Sequence, residues 1–134
     1  MAKPKKNDII SDIEADGLGS LPVSVNVLGT EYSIEYVDEN EDSSVLNLGG
    51  YCDSISKAIY LNAAEYFEGK KDASGKRGRD VMNMILRHEI VHAFFAESGL
   101  REECDFASNE ILVDWIGNQM PKISKAMNDL NLLD

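Results

Sequence analysis

Basic residues are scarce: 13 Lys and Arg stand against 24 Asp and Glu in 134 residues, a formal net charge of −11. A surface this acidic repels phosphate backbones and anionic headgroups, which argues against nucleic acid or membrane as a partner. Two cysteines, Cys52 and Cys104, are too few for a disulfide framework in a chain of this size. No apolar run approaches the roughly 20 residues that a membrane helix needs. The start, Met1-Ala2-Lys3-Pro4-Lys5-Lys6, is basic, but no apolar segment follows it, so it does not read as a secretory signal. These absences together lead us to expect a cytoplasmic setting. Histidine is scarcer still than cationic charge, with two in the whole chain.

What is present suffices for one core. The hydrophobic fraction is 43%, ordinary for a globular chain, and the length suits a single domain. Residues 1–20 are polar and interrupted by Gly17 and Gly19, and read as a flexible, loosely attached arm. Residues 21–134 read as the domain.

From Val23 the pattern alternates. Val23, Val25 and Val27 share a face, Gly29-Thr30 supplies a turn, and Tyr32, Ile34 and Tyr36 return, a β-hairpin signal. A second pair of strands is expected over Leu46–Asp53 and Ala58–Asn62, then a short helix over 63–69 and a flexible, basic loop over 69–78. Asp80 suits the N-cap of an apolar helix from Val81 to about Ser98, with Gly99 as its stop. Val81, Met84, Ile85, Ile90, Val91, Phe94 and Phe95 surround that helix, which marks it as central and buried. Asp105 suits the cap of a second helix reaching Met120, where Pro121 is expected to break it. A last amphipathic helix is expected over Ile123–Leu133.

Both histidines fall in one motif, His88-Glu89-Ile90-Val91-His92. A spacing of four puts two imidazoles on one helix face, where neutral ring nitrogens can share one zinc ion. Glu89 lies about 100° further round, beside the pair, where it reaches water at the metal without ligating it. The bland alternative is two structural histidines on a buried helix, each then needing partners for its ring nitrogens.

A catalytic zinc needs a third protein ligand and an open fourth position. A continuation of the motif with a further glycine and histidine is rejected, since Phe95 and Ser98 stand there. The second helix offers Asn109-Glu110-Ile111-Leu112-Val113-Asp114, whose two carboxylates share a face. His92 stands about 9 Å before the first helix's stop and Glu110 about 7.5 Å after the expected cap at Asp105, so antiparallel helices bring them level. Glu110 is therefore the expected third ligand. Asp114, one turn on, would hold the outer N–H of His88. The alternative for both carboxylates is a solvated acidic face, against which Trp115, Ile111 and Leu112 suggest a packed helix. Cys104 reads as a turn thiol and Cys52 as strand core.

The combined pattern, His88-Glu89-x-x-His92 followed by Asn109-Glu110-x-x-x-Asp114, resembles the gluzincin metallopeptidases, the thermolysin-like branch of the zincins. The short chain, the preceding strand pair and the segment HEIVHAFFAESGL are also similar to compact bacterial and phage-type zincins of the minigluzincin and ImmA/IrrE-like kind. The resemblance covers about residues 46–119. It implies that Glu89 activates water, that Glu110 ligates zinc, and that Asp114 supports a ligand. Many gluzincins add a histidine or tyrosine that stabilises the oxyanion. This chain has no third histidine, which leaves Tyr51, Tyr60, Tyr66 and Arg101 as candidates.

The expected fold is therefore α+β and zincin-like: a small antiparallel or mixed sheet, an active-site helix and a glutamate-bearing helix. The expected function is zinc-dependent hydrolysis of peptide bonds in a peptide or protein substrate, with Zn2+ on His88, His92 and Glu110 and with Glu89 as general base. An extended substrate would pair with the strand at Ala58–Asn62 if that strand is an edge. The rival is a non-catalytic zinc-containing protein-binding module, of the kind found in phage or bacterial regulatory proteins. The retained Glu89 weighs against the rival, because a structural zinc gains nothing from a carboxylate beside its water.

Overall fold

The computed structural model describes residues 6–69 and 75–134. Strands β1 (Ser24–Val27) and β2 (Thr30–Val37) form the expected hairpin, with Val27 opposite Thr30. The turn is therefore Leu28-Gly29, one residue earlier than its sequence suggests. Both residues have positive φ, 52° and 92°, as a two-residue hairpin turn of matching twist requires. Asn26 steadies it by accepting from the Gly29 N–H at 2.9 Å. Tyr32, Ile34 and Tyr36 all face the core.

Strand β3 (Gly50–Asp53) is shorter than expected, and Leu46 and Leu48 ahead of it are exposed. Strand β4 (Ala58–Asn62) lies parallel to β2 and antiparallel to β3, giving a mixed four-stranded sheet of order β1-β2-β4-β3. The chain is thus α+β. β4 is interior, which removes it as a docking edge for a substrate; the edges are β1 and β3.

The reading of residues 1–20 as a loosely attached arm is corrected over the described part. Helix α1 (Lys6–Glu14) places Ile9 and Ile13 in the hydrophobic core, Ile13 with no exposure at all. The following turn is held by a buried ion pair. Asp16 accepts from Arg79 Nε at 2.8 Å and from the Tyr66 hydroxyl at 2.9 Å, while Arg79 also donates to the Gly19 carbonyl at 2.6 Å. The Arg79 guanidinium holds the Asp16 carboxyl down at about 2. Asp16→Ala leaves that guanidinium buried without its carboxylate, an expected loss of roughly 3–5 kcal/mol read from the urea midpoint. Because folding depresses this pKa, the stabilisation is complete above the ordinary carboxyl value and is lost as pH falls toward 2. An unchanged midpoint would reduce the pair to a surface contact.

Helix α2 (Ala63–Gly69) matches expectation, and residues 70–74 of the expected loop lie outside the described residues. Helix α3 (Lys76–Glu97) starts earlier than the Asp80 cap implied, because Gly75, at φ 73°, takes the N-cap position. Asp80 instead pairs with Lys76 one turn back at 2.6 Å. Gly99 has the positive φ of a helix stop, as its position suggested. At this end Glu97 accepts from Tyr32, Thr30 and Lys57, tying α3 to the hairpin and to the start of β4.

A short helix α4 (Leu100–Glu103) and a 3-10 turn (Asp105–Ser108) fill the connection, so Asp105 is not the cap of the next helix. That cap is Asn109, which accepts from the Leu112 N–H at 3.0 Å. Helix α5 (Glu110–Asp129) runs unbroken through Pro121, in place of the two helices expected. The proline removes the N–H that would bond the Gly117 carbonyl. Arg87 Nε of α3 donates to that carbonyl at 2.9 Å instead, so the orphaned acceptor becomes a helix-to-helix link. No helix among the described residues is long and apolar enough to cross a membrane.

Candidate metal centre

Helix α3 lies between the sheet and α5, with Glu89 turned toward β3 and the two histidines turned toward α5. Both imidazoles are about one-fifth exposed. Helix α5 approaches along Val113 and Gly117, its buried positions. Gly117 sets how close it comes: a Cβ there would stand 3.2 Å from the His88 backbone N and 3.3 Å from its Cα. This contact puts Glu110 and Asp114, on the same side of α5, against the histidines. Gly117→Leu is expected to force the helices apart, costing roughly 1–3 kcal/mol and weakening any metal site that spans them. Thermal melts with and without zinc measure both effects. An unchanged response to zinc would mean that the spacing is not critical.

Three side chains converge. His88 Nε2 is 2.9 Å from one Glu110 oxygen, His92 Nε2 is 3.0 Å from the other, and the two Nε2 atoms are 3.2 Å apart. His88 Nδ1 faces Asp114 Oδ1 at 3.2 Å. Hydrogen bonds alone satisfy this set poorly. Glu110 asks both Nε2 atoms to donate, and two N–H groups at that separation then oppose each other. A shared cation removes the conflict. Tetrahedral ligands at about 2.0–2.1 Å would stand about 3.3–3.4 Å apart, close to the 3.2 Å between the two Nε2 atoms. His88 then keeps its proton on Nδ1, donating to Asp114, and presents its lone pair at Nε2. Among the described residues, His88, His92 and Glu110 form the one cluster of three or more such side chains able to hold a metal.

The electrostatic surroundings agree with that use. Burial holds His92 below the ordinary imidazole value, with Glu110 pulling it up and the charges of His88 and Arg101 adding to the downward push. The neutral, ligating form is thereby favoured. Glu89 is 4% exposed, and burial pushes its carboxyl up to about 7, with the His88 charge pulling down and that of Glu110 pushing up. Such a carboxyl is poised to exchange protons near neutrality.

The cluster opens into a cleft of about 440 Å³. Leu48, Tyr51 and Cys52 wall it on the β3 side, and Met84 and Ile85 lie on the α3 floor. Of the candidates for oxyanion stabilisation, Tyr66 is committed to Asp16 in the core. Tyr60 stacks on Tyr51 at 4.7 Å and does not line the cleft. Tyr51 does line it, with its hydroxyl donating to Asp42. Arg101 also lines it. Cys104 caps α4, away from the cleft, and Cys52 borders it without joining the cluster.

The sequence suggests that α5 packs through Ile111 and Trp115, but these are 82% and 56% exposed; Val113 and Gly117 make the contact instead. The signal for Gly117 was its place three residues after Asp114, on the same helix face. Comparisons with protein-family models, curated proteins and solved structures found no significant match.

Proposed function

We propose that this protein is a zinc-dependent metallopeptidase with a zincin-like fold. The observation that carries the reading is the convergence of His88, His92 and Glu110 beside a buried carboxyl, Glu89, at the floor of an open cleft. His88, His92 and Glu110 would hold the metal, and Asp114 would fix the tautomer of His88. A bound zinc supplies Lewis acidity, polarising the scissile carbonyl and bringing the pKa of water from 15.7 toward about 7. Glu89 takes the proton from the attacking water and later delivers it to the leaving amine. The substrate would lie extended along β3, the sheet edge that walls the cleft. Ladder alternation turns the Gly50 and Cys52 peptide groups outward there, since Tyr51 is paired inward with Tyr60.

The test is digestion of a mixed peptide library by zinc-loaded protein, read by mass spectrometry for new termini. Internal cleavage is expected. An intact library would favour the binding-module reading. Asp114→Ala is expected to lower metal affinity or turnover by roughly 10–100-fold with the fold intact. Unchanged affinity and turnover would leave Asp114 as a surface carboxylate.

A further inference from the structure

The charges of the cleft are lopsided. Its acidic lining residues, Glu89, Glu110 and Asp114, are met by one lysine or arginine, Arg101. The cleft is also polarised along its length. Leu48, Met84 and Ile85 make one end apolar, and Gly49 and Gly50 let the chain lie close on Ile85, 3.1 Å from the place of a Cβ at Gly49. Met84, His88 and His92 succeed one another by single turns of α3, about 6 Å each, so the cluster lies beyond the apolar end. Arg101 marks the far end, where its Nη1 reaches Ser54 Oγ in the turn after β3.

That bond is long, at 3.4 Å, and among the described residues Arg101 makes no ion pair and no other hydrogen bond. Most of the guanidinium fork is therefore uncommitted. A planar fork of this kind matches a carboxylate through two parallel hydrogen bonds. Stabilising an oxyanion would require the donors 2.7–3.1 Å from the reacting oxygen, beside the histidines. The contact with Ser54 instead places Nη1 beside the turn after β3.

We propose that Arg101 determines specificity, binding a carboxylate of the substrate peptide at the end of the cleft nearest the β3–β4 turn. The inference rests on the metallopeptidase reading and names its substrate class: peptides with an acidic group displaced from the scissile bond. The carboxylate is either an Asp or Glu side chain or a free C-terminus.

The test uses three sets of peptides: Glu scanned through each position, the same positions carrying Gln, and each peptide with a free or an amidated C-terminus. Binding is read by fluorescence anisotropy to the zinc-loaded Glu89→Gln protein, and cleavage is read with the wild type. A carboxylate at the favoured position should improve binding and kcat/KM by roughly 10–100-fold. Loss of that advantage on amidation identifies a C-terminal carboxylate; loss on Glu→Gln identifies a side chain. In Arg101→Gln the ratio between acidic and neutral peptides should collapse to within about threefold, with Arg101→Lys keeping part of it. Arg101→Glu should reverse the preference toward lysine-containing peptides, a result that misfolding does not produce. Equal losses for acidic and neutral peptides in Arg101→Gln would make Arg101 an oxyanion donor and overturn the proposal. Cleavage with no acidic preference would overturn it while leaving the peptidase reading intact. Arg101-dependent binding without turnover would support it and sink the peptidase reading.

Discussion

Glutamine in place of Glu89 is expected to leave zinc bound and to reduce peptide hydrolysis by at least roughly 10²–10⁴-fold. The amide keeps the size of the side chain and much of its hydrogen bonding, but it cannot accept a proton from water. Glu89 is buried against the β3 side of α3, clear of the three proposed ligands. The substitution therefore separates proton transfer from metal binding. It should also remove a cost, since burial already disfavours the charged carboxylate. The variant is expected to be at least as stable as the wild type. Cleavage by wild type and variant, with metal content measured on both, is the comparison. Equal rates would rule Glu89 out as the base.

The second large effect is expected from His88→Ala. His88 meets His92 and Glu110 through Nε2 and Asp114 through Nδ1, so its loss removes a proposed ligand and strips both carboxylates of a partner. Stoichiometric zinc binding should disappear. Zinc should no longer raise the melting temperature, because ligand-linked stabilisation vanishes with the site. The acidic pair left on α5 is largely exposed, so it remains solvated and the chain should still fold. Full-strength zinc binding in this variant would remove His88 from the ligand set.

The spacing of the motif was sufficient to place His88 and His92 on one face of a central helix, since helical periodicity is local information. Glu110 and Asp114 were legible for the same reason: four residues apart, on a second helix able to fold back. The count that brought Glu110 level with His92 began from the wrong residue. Asp105 and Asn109 are both good capping residues, and only tertiary packing selects Asn109, after a connection coiled into α4 and a 3-10 turn. Pro121 misled in a similar way. A proline stops a helix when the freed carbonyl has no other donor, and Arg87 from another helix supplies one. Ile111 and Trp115 illustrate that apolar residues are often exposed, whereas burial falls on the small residue that lets two backbones approach. Helix α1 leaves little signal in the sequence because its core-facing side chains are three isoleucines, Ile9, Ile10 and Ile13, in an otherwise polar segment. The interior position of β4 depended on a parallel pairing with β2, which alternation within either strand does not encode.

The central claim is that the metal held by His88, His92 and Glu110 is the agent of peptide hydrolysis. The most direct test is to strip the protein with a chelator, titrate zinc back, and follow cleavage of a fluorogenic peptide drawn from the library digest. The account predicts no cleavage by the stripped protein, a rate that rises linearly with added zinc, and a plateau at one equivalent per chain. Cleavage that survives full removal of metal, or its absence at one bound zinc per chain, would contradict it.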